Sequence, residues 1–171
     1  VDGAGRNFSE RRRFGLAPRL LVLSALRAFP GKQRKGEEEE MKLMGIRATA
    51  DGAVEGVVVN AAQSTLQGTR EQIGCRLVDV VRLEDRIDAW IDDEGMYAGE
   101  RNDLATVAAV ALGRSRAASP LFGTVLFLTY DEAGDTRSLS PDQYTAVMRA
   151  FQHARTALTR AEALSAVFRQ Q

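Results

Sequence analysis

Leu121-Phe122-Gly123-Thr124-Val125-Leu126-Phe127-Leu128-Thr129-Tyr130 is a stretch without a single charge, rich in aromatic and branched side chains. Such a run favours extended backbone. A strand with no polar alternation is one covered on both faces, so this segment is expected at the centre of a sheet. Working outward, Asp131 to Asp135 reads as a turn around Gly134. Ser140-Pro141-Asp142-Gln143 then opens a helix, with serine at the cap, proline in the first turn and glutamine closing a capping box. Val147, Phe151, Ala154, Leu158 and Ala161 keep one apolar stripe that carries this helix to about Phe168.

Upstream, Asn102 or Asp103 can cap a helix through Leu112 that is apolar nearly all round. Gly113 stops it. Arg86 to Ile91 alternates, with Ile87, Ala89 and Ile91 on one side and Asp88, Trp90 and Asp92 on the other. Arg76 to Leu83 reads as a strand covered mainly on one face. Lys42 to Arg47 and Val54 to Val59 flank the Asp51-Gly52 turn and predict an antiparallel pair. Ser64 begins a short helix over Thr65 to Ile73, with Leu66 and Ile73 toward the core and Gly74 at its end. The expected fold class is α+β: a mixed, mainly antiparallel sheet, two short helices and a long C-terminal helix, in one domain over residues 41–171.

Residues 1–40 differ in kind. They carry nine Arg/Lys and six Asp/Glu, against fourteen and seventeen in residues 41–171. Arg11, Arg12 and Arg13 before Leu20-Leu21-Val22-Leu23 suggest a secretory signal, but the apolar run is short and lacks a cleavage pattern. Leu16, Leu20, Leu23 and Phe29 allow a basic amphipathic anchor. The favoured reading is a disordered or mis-annotated extension. Lys35-Gly36-Glu37-Glu38-Glu39-Glu40 is what a purine-rich ribosome-binding site spells when read in frame, which makes Met41 the expected initiator.

Composition narrows the chemistry. One cysteine, Cys75, and one histidine, His153, exclude a disulfide framework and a thiolate zinc site. Any catalytic triad would have to be built on that histidine. No cofactor is called for. No apolar run reaches the length of a membrane span, so a cytoplasmic protein is expected. The mildly acidic domain has no electrostatic reason to seek nucleic acid or an anionic membrane.

The residues Leu66-Gln67, Ile73-Gly74, Val78 to Leu83, Ile87 to Gly95 and Asn102, in that order, resemble a domain-of-unknown-function family, the one numbered 3846. Phe122 to Val125, the Asp131 turn and Ser138 to Gln143 extend the resemblance, which covers about residues 41–151. That family occurs in bacteria and phages and implies no activity. Its Leu-Pro-x-Asn after the acidic turn is here Ala98-Gly99-Glu100-Arg101-Asn102, with the asparagine kept and the Leu-Pro lost.

The densest polar stretch, Asp79 to Asp103, holds nine carboxylates and three arginines. Within it Trp90, Asp92, Asp93 and Asn102 are the candidate ligand-binding residues. Hard oxygen ligands suit a divalent cation, yet the spacing matches no EF-hand, and neighbouring strand residues face opposite ways, so no metal site is assigned and no catalytic residue either. Trp90 is either an exposed binding residue or packed under the Ala/Val-rich helix. The leading expectation is a small non-catalytic binding or regulatory module with an unknown protein or small-molecule partner, self-associating through Leu104–Leu112. One alternative is a small-molecule-binding or sequestering protein, or weak hydrolase, at the Asp92-Asp93 turn. The other is an acidic nucleic-acid mimic that occupies a basic partner.

Overall fold

The computed structural model describes residues 41–169; the expectations for residues 1–40 lie outside that range. The elements run β1 (Lys42–Ala48), β2 (Val54–Asn60), α1 (Thr65–Ile73), β3 (Val78–Arg82), β4 (Ile87–Asp92), α2 (Gly95–Ala98), α3 (Asp103–Ala111), β5 (Val125–Tyr130), β6 (Thr136–Arg137) and α4 (Pro141–Phe168). The strands form one sheet in the order β2-β1-β5-β4-β3, with β6 paired to β5, and each pairing is antiparallel. The fold is α+β, as expected. Its one addition to the anticipated helices is α2, a single turn just after the acidic residues.

β5 is central, and the sequence shows why. Val125 and Phe127 face one core with Ile46, Ala48, Ile87 and Ala89, which α3 and α4 cover. Phe127 meets Phe151 of α4 edge to face, with ring centroids 5.4 Å apart, the arrangement the ring quadrupoles favour. Leu126 and Leu128 point the other way, into a smaller core with Leu43, Val59 and Ile73 under α1. Buried on both faces, the strand has no place for a charge. It starts at Val125 rather than Leu121 because Gly123 turns the chain at φ 66° and its N–H donates to the Glu100 carbonyl.

α1 sits differently from expectation. Ser64 occupies its cap position without a side-chain hydrogen bond, and Leu66 faces solvent. The face that meets the sheet is Gly68 and Thr69, because the helix approaches β2 too closely for a larger side chain. The Ser140 capping box forms as read: its Oγ accepts from Gln143 N–H, and Gln143 Oε1 accepts from Ser140 N–H.

The β3–β4 hairpin closes through Glu84–Arg86, where Asp85 and Arg86 have φ of 55° and 59°. Two consecutive positive φ values suit the twist of a tight hairpin, at a steric cost for non-glycine residues. Surrounding bonds hold them there. Gln143 Nε2 donates to the Asp85 carbonyl and to Thr129 Oγ1, which donates to the Arg86 carbonyl.

Asp88 points into the α1 side of the sheet at 5% exposure, and its Oδ1 has no hydrogen-bond partner. Burial pushes its carboxyl pKa up, against the opposing pull of Arg82, whose guanidinium lies 5.0 Å from the Tyr130 ring centroid. A carboxyl with a raised folded-state pKa contributes stability that is complete below its unfolded pKa. That contribution is lost as pH rises through the folded value. Asp88→Asn is therefore expected to stabilise the protein by about 1 kcal/mol above neutral pH, the scale of relieving one unsatisfied buried group. In urea unfolding the gap to wild type should close on acidification; a gap independent of pH would refute the assignment.

Candidate functional site

The four residues singled out above fall in one region of the chain but do not converge on one ligand. Asn102 is fully buried. Its Oδ1 accepts from Ala105 N–H at 2.8 Å and caps α3. Its Nδ2 donates to the carbonyls of Gly123 at 2.8 Å and Ala48 at 3.2 Å. The carboxamide thus ties α3 to β1 and to the approach of β5, with both ends engaged. Trp90 is half-buried, and neither sequence alternative describes it: it packs on the α1 side of the sheet beside Cys75 and Val78, away from α3. Its Nε1 is buried without a partner. Burial, then the charge of Asp92, raises the Cys75 thiol pKa, which removes it from the reactive thiolates.

Asp92 and Asp93 shape the turn that follows β4. Asp92 Oδ1 accepts from Glu94 N–H at 3.0 Å, and Asp93 N–H donates to the Leu77 carbonyl at 3.1 Å. Glu94 pairs with Arg76 at 3.6 Å. Gly95 is buried, packed on Asp92 and Phe122, and Gly99 lies against Gly95 and Gly123. The bridge between Arg101 and Phe122 closes the segment. Among the described residues, no group of three or more His, Cys, Asp or Glu is placed to hold a metal ion.

This pinned turn displays α2. Met96 is 56% exposed and Tyr97 83%, an aromatic side chain held out by a backbone that is fastened on both sides. Asp93, Glu94 and Glu100, within four residues of Tyr97 in the chain, are all exposed. The nearby arginines, Arg76 and Arg101, are paired with Glu94 and Asp103. Sequence reading found the carboxylates and missed the exposed aromatic in the same stretch of chain; the signal was Met96-Tyr97 between two glycines, a one-turn helix too short for periodicity to reveal.

Leu104–Leu112, the segment expected to self-associate, lies in and just after α3. Leu104, Ala105, Ala108 and Ala109 are buried within the chain, and Val107 and Leu112 pack on the same core. Val110 is half-buried and Ala111 exposed.

A family model described as Domain of unknown function (DUF3846) matches residues 38–152, well over half of the chain. The chain belongs to this family. The DUF3846 match spans the sheet, α1 to α3 and the start of α4, and so includes the α2 turn. No curated protein and no solved structure matches. No described helix is long and apolar enough to cross a membrane.

Proposed function

We propose that this DUF3846 protein is a small non-catalytic binding module whose contact surface is α2, and that it receives a basic segment of another protein. The observation that carries the reading is Tyr97, 83% exposed on a turn whose neighbours are held by hydrogen bonds. A rigid, exposed aromatic costs little entropy to bind with and is typical of interface anchors. The carboxylates of Asp93 and Glu100 give the partner its chemistry. An arginine or lysine can lie on the Tyr97 ring while the acidic rim draws it in. Asp92 and Asn102 enter as positioning residues, since Asp92 Oδ1 and both ends of the Asn102 carboxamide are engaged by the scaffold. This reading takes its basic partner from the acidic-mimic alternative and takes the ring, rather than the carboxylates, as its centre.

The test uses a labelled oligoarginine peptide and fluorescence anisotropy on the full chain. Binding should be salt-sensitive, and a matched oligoglutamate peptide should not bind. Tyr97→Ala should weaken binding about fivefold, the equivalent of ~1 kcal/mol for one exposed cation–π contact, with unfolding unchanged. Equal affinity for wild type and Tyr97→Ala would overturn the reading.

A further inference from the structure

α4 outlasts the domain it packs on. Val147, Ala150, Phe151 and Ala154 are buried, Leu158 is half-buried, and every residue from Thr159 to Arg169 is exposed. The projecting part keeps large apolar side chains: Leu164 is 62% exposed, Val167 58% and Phe168 72%. Near the start of the same helix lies a cavity of about 310 Å³. Ala146, Arg149, Ala150 and His153 line it from α4, and Leu112, Glu84 and Asp85 line it from outside that helix.

The two features are in register. Ala146, Arg149 and Ala150 repeat as Leu164, Val167 and Phe168 after 18 residues, which at 3.6 residues per turn is five whole turns and about 27 Å. The small residues of the cavity, Ala146 and Ala150, and the large residues of the tail therefore share one face of the helix, with Arg149 at its margin. A twofold axis beside Ala157 sets two α4 helices antiparallel along that face. Phe168 of each copy then lies over Ala146 of the other, and Leu164 over Ala150.

We infer that the occupant of this face is a second copy of the chain, in an antiparallel α4–α4 dimer with each tail seated in the other's cavity. A twofold interface must be complementary to itself, and here knob and hole lie on one helix at equal distances from the axis. The partner's Arg169 arrives where Glu84 and Asp85 line the cavity together with Arg149. Covering three large apolar side chains per copy, and the surface facing them, removes on the order of 1,200 Å² in total, the lower limit for a stable specific interface. The dimer is therefore expected to be a concentration-dependent one. The face is separate from Tyr97 and stands whether or not that surface binds a basic partner.

Sedimentation of the full chain over a range of concentrations tests it. Wild type should pass from monomer to dimer, and Phe168→Asp or Leu164→Asp should raise the dissociation constant at least tenfold without altering circular dichroism. Both sites are exposed, so the variants should fold. In a Cys75→Ser background, Ala157→Cys should cross-link to its twin rapidly, and Thr159→Cys, on another side of the helix, should not. A chain that stays monomeric, a dimer indifferent to Phe168→Asp, or equal cross-linking at both positions would each overturn the inference. So would a monomer whose tail partitions onto anionic vesicles instead.

Discussion

Asn102→Asp is expected to destabilise the protein by about 3 kcal/mol at neutral pH, because the change inverts one end of a fully engaged buried side chain. The new carboxylate retains the oxygen that accepts from Ala105 N–H, so the α3 cap survives. Its second oxygen stands where Nδ2 donated to the carbonyls of Gly123 and Ala48. Three acceptors then face one another without a proton among them, in a site with no exposure to water. Losing two buried donors costs about 1–3 kcal/mol for each group left unsatisfied, and the buried charge adds to it. The system has one relief, which is to protonate. The raised pKa of the new carboxyl means that its penalty is smallest at low pH and complete once pH rises through that value. Urea unfolding of the variant should therefore recover part of the loss on acidification. Asn102→Ala removes the cap, worth about 1 kcal/mol, together with the two donors. It should cost about 2–3 kcal/mol on the same scale at any pH. If Asn102 served only a ligand, both variants would unfold within about 0.5 kcal/mol of wild type, as surface substitutions do.

That residue also marks the boundary of what sequence can reveal. Local signals carried far. The Ser140-Pro141-Asp142-Gln143 start of α4, the Gly74 end of α1, the β1–β2 pair about Asp51-Gly52 and the alternation in β4 are each written within a few residues. Each is a rule about backbone hydrogen bonds or side-chain period, so each can be read from a short window. The two-sided burial of β5 was equally legible in its lack of charge. Asn102 was legible as a cap but not as a tie, because its other partners lie 54 and 21 residues away, at Ala48 and Gly123. Nothing local distinguishes such an asparagine from one that awaits a ligand. Trp90 failed for a related reason. Its strand face was read correctly, but that face is covered by α1 rather than by α3, and which helix crosses which face is a property of the whole topology. α2 escaped because four residues are too few for a helical period.

Gly68→Ala should be nearly as damaging as Asn102→Asp, and for a purely steric reason. Alanine is the better helix former by about 1 kcal/mol, so an open site on α1 would gain from the exchange. Gly68 is not open. A Cβ built there would lie 2.1 Å from the carbonyl oxygen of Asn60 and 2.9 Å from a methyl of Val59. The first is backbone at the end of β2, where no rotamer change can relieve the clash. To accept one methyl group the helix must lift away from the strand, and with it Thr69 and Ile73, both buried. Ile73 belongs to the smaller core with Leu43, Val59, Leu126 and Leu128, which α1 alone covers among the described helices. Overpacking of this kind typically costs about 1–3 kcal/mol, and the partial loss of that core's cover places Gly68→Ala at the upper end, about 3 kcal/mol net of the propensity gain. The far side of the sheet is insulated from the change, because α3 and α4 pack on the opposite face. Amide exchange should therefore rise across α1 and in β2 well before the Phe127–Phe151 core loosens. Trp90, in the disturbed core, should report the loss as a shift in fluorescence at lower urea than the helical circular dichroism of α4. An unchanged midpoint by both probes would mean that α1 is free to shift and that Gly68 is not what seats it.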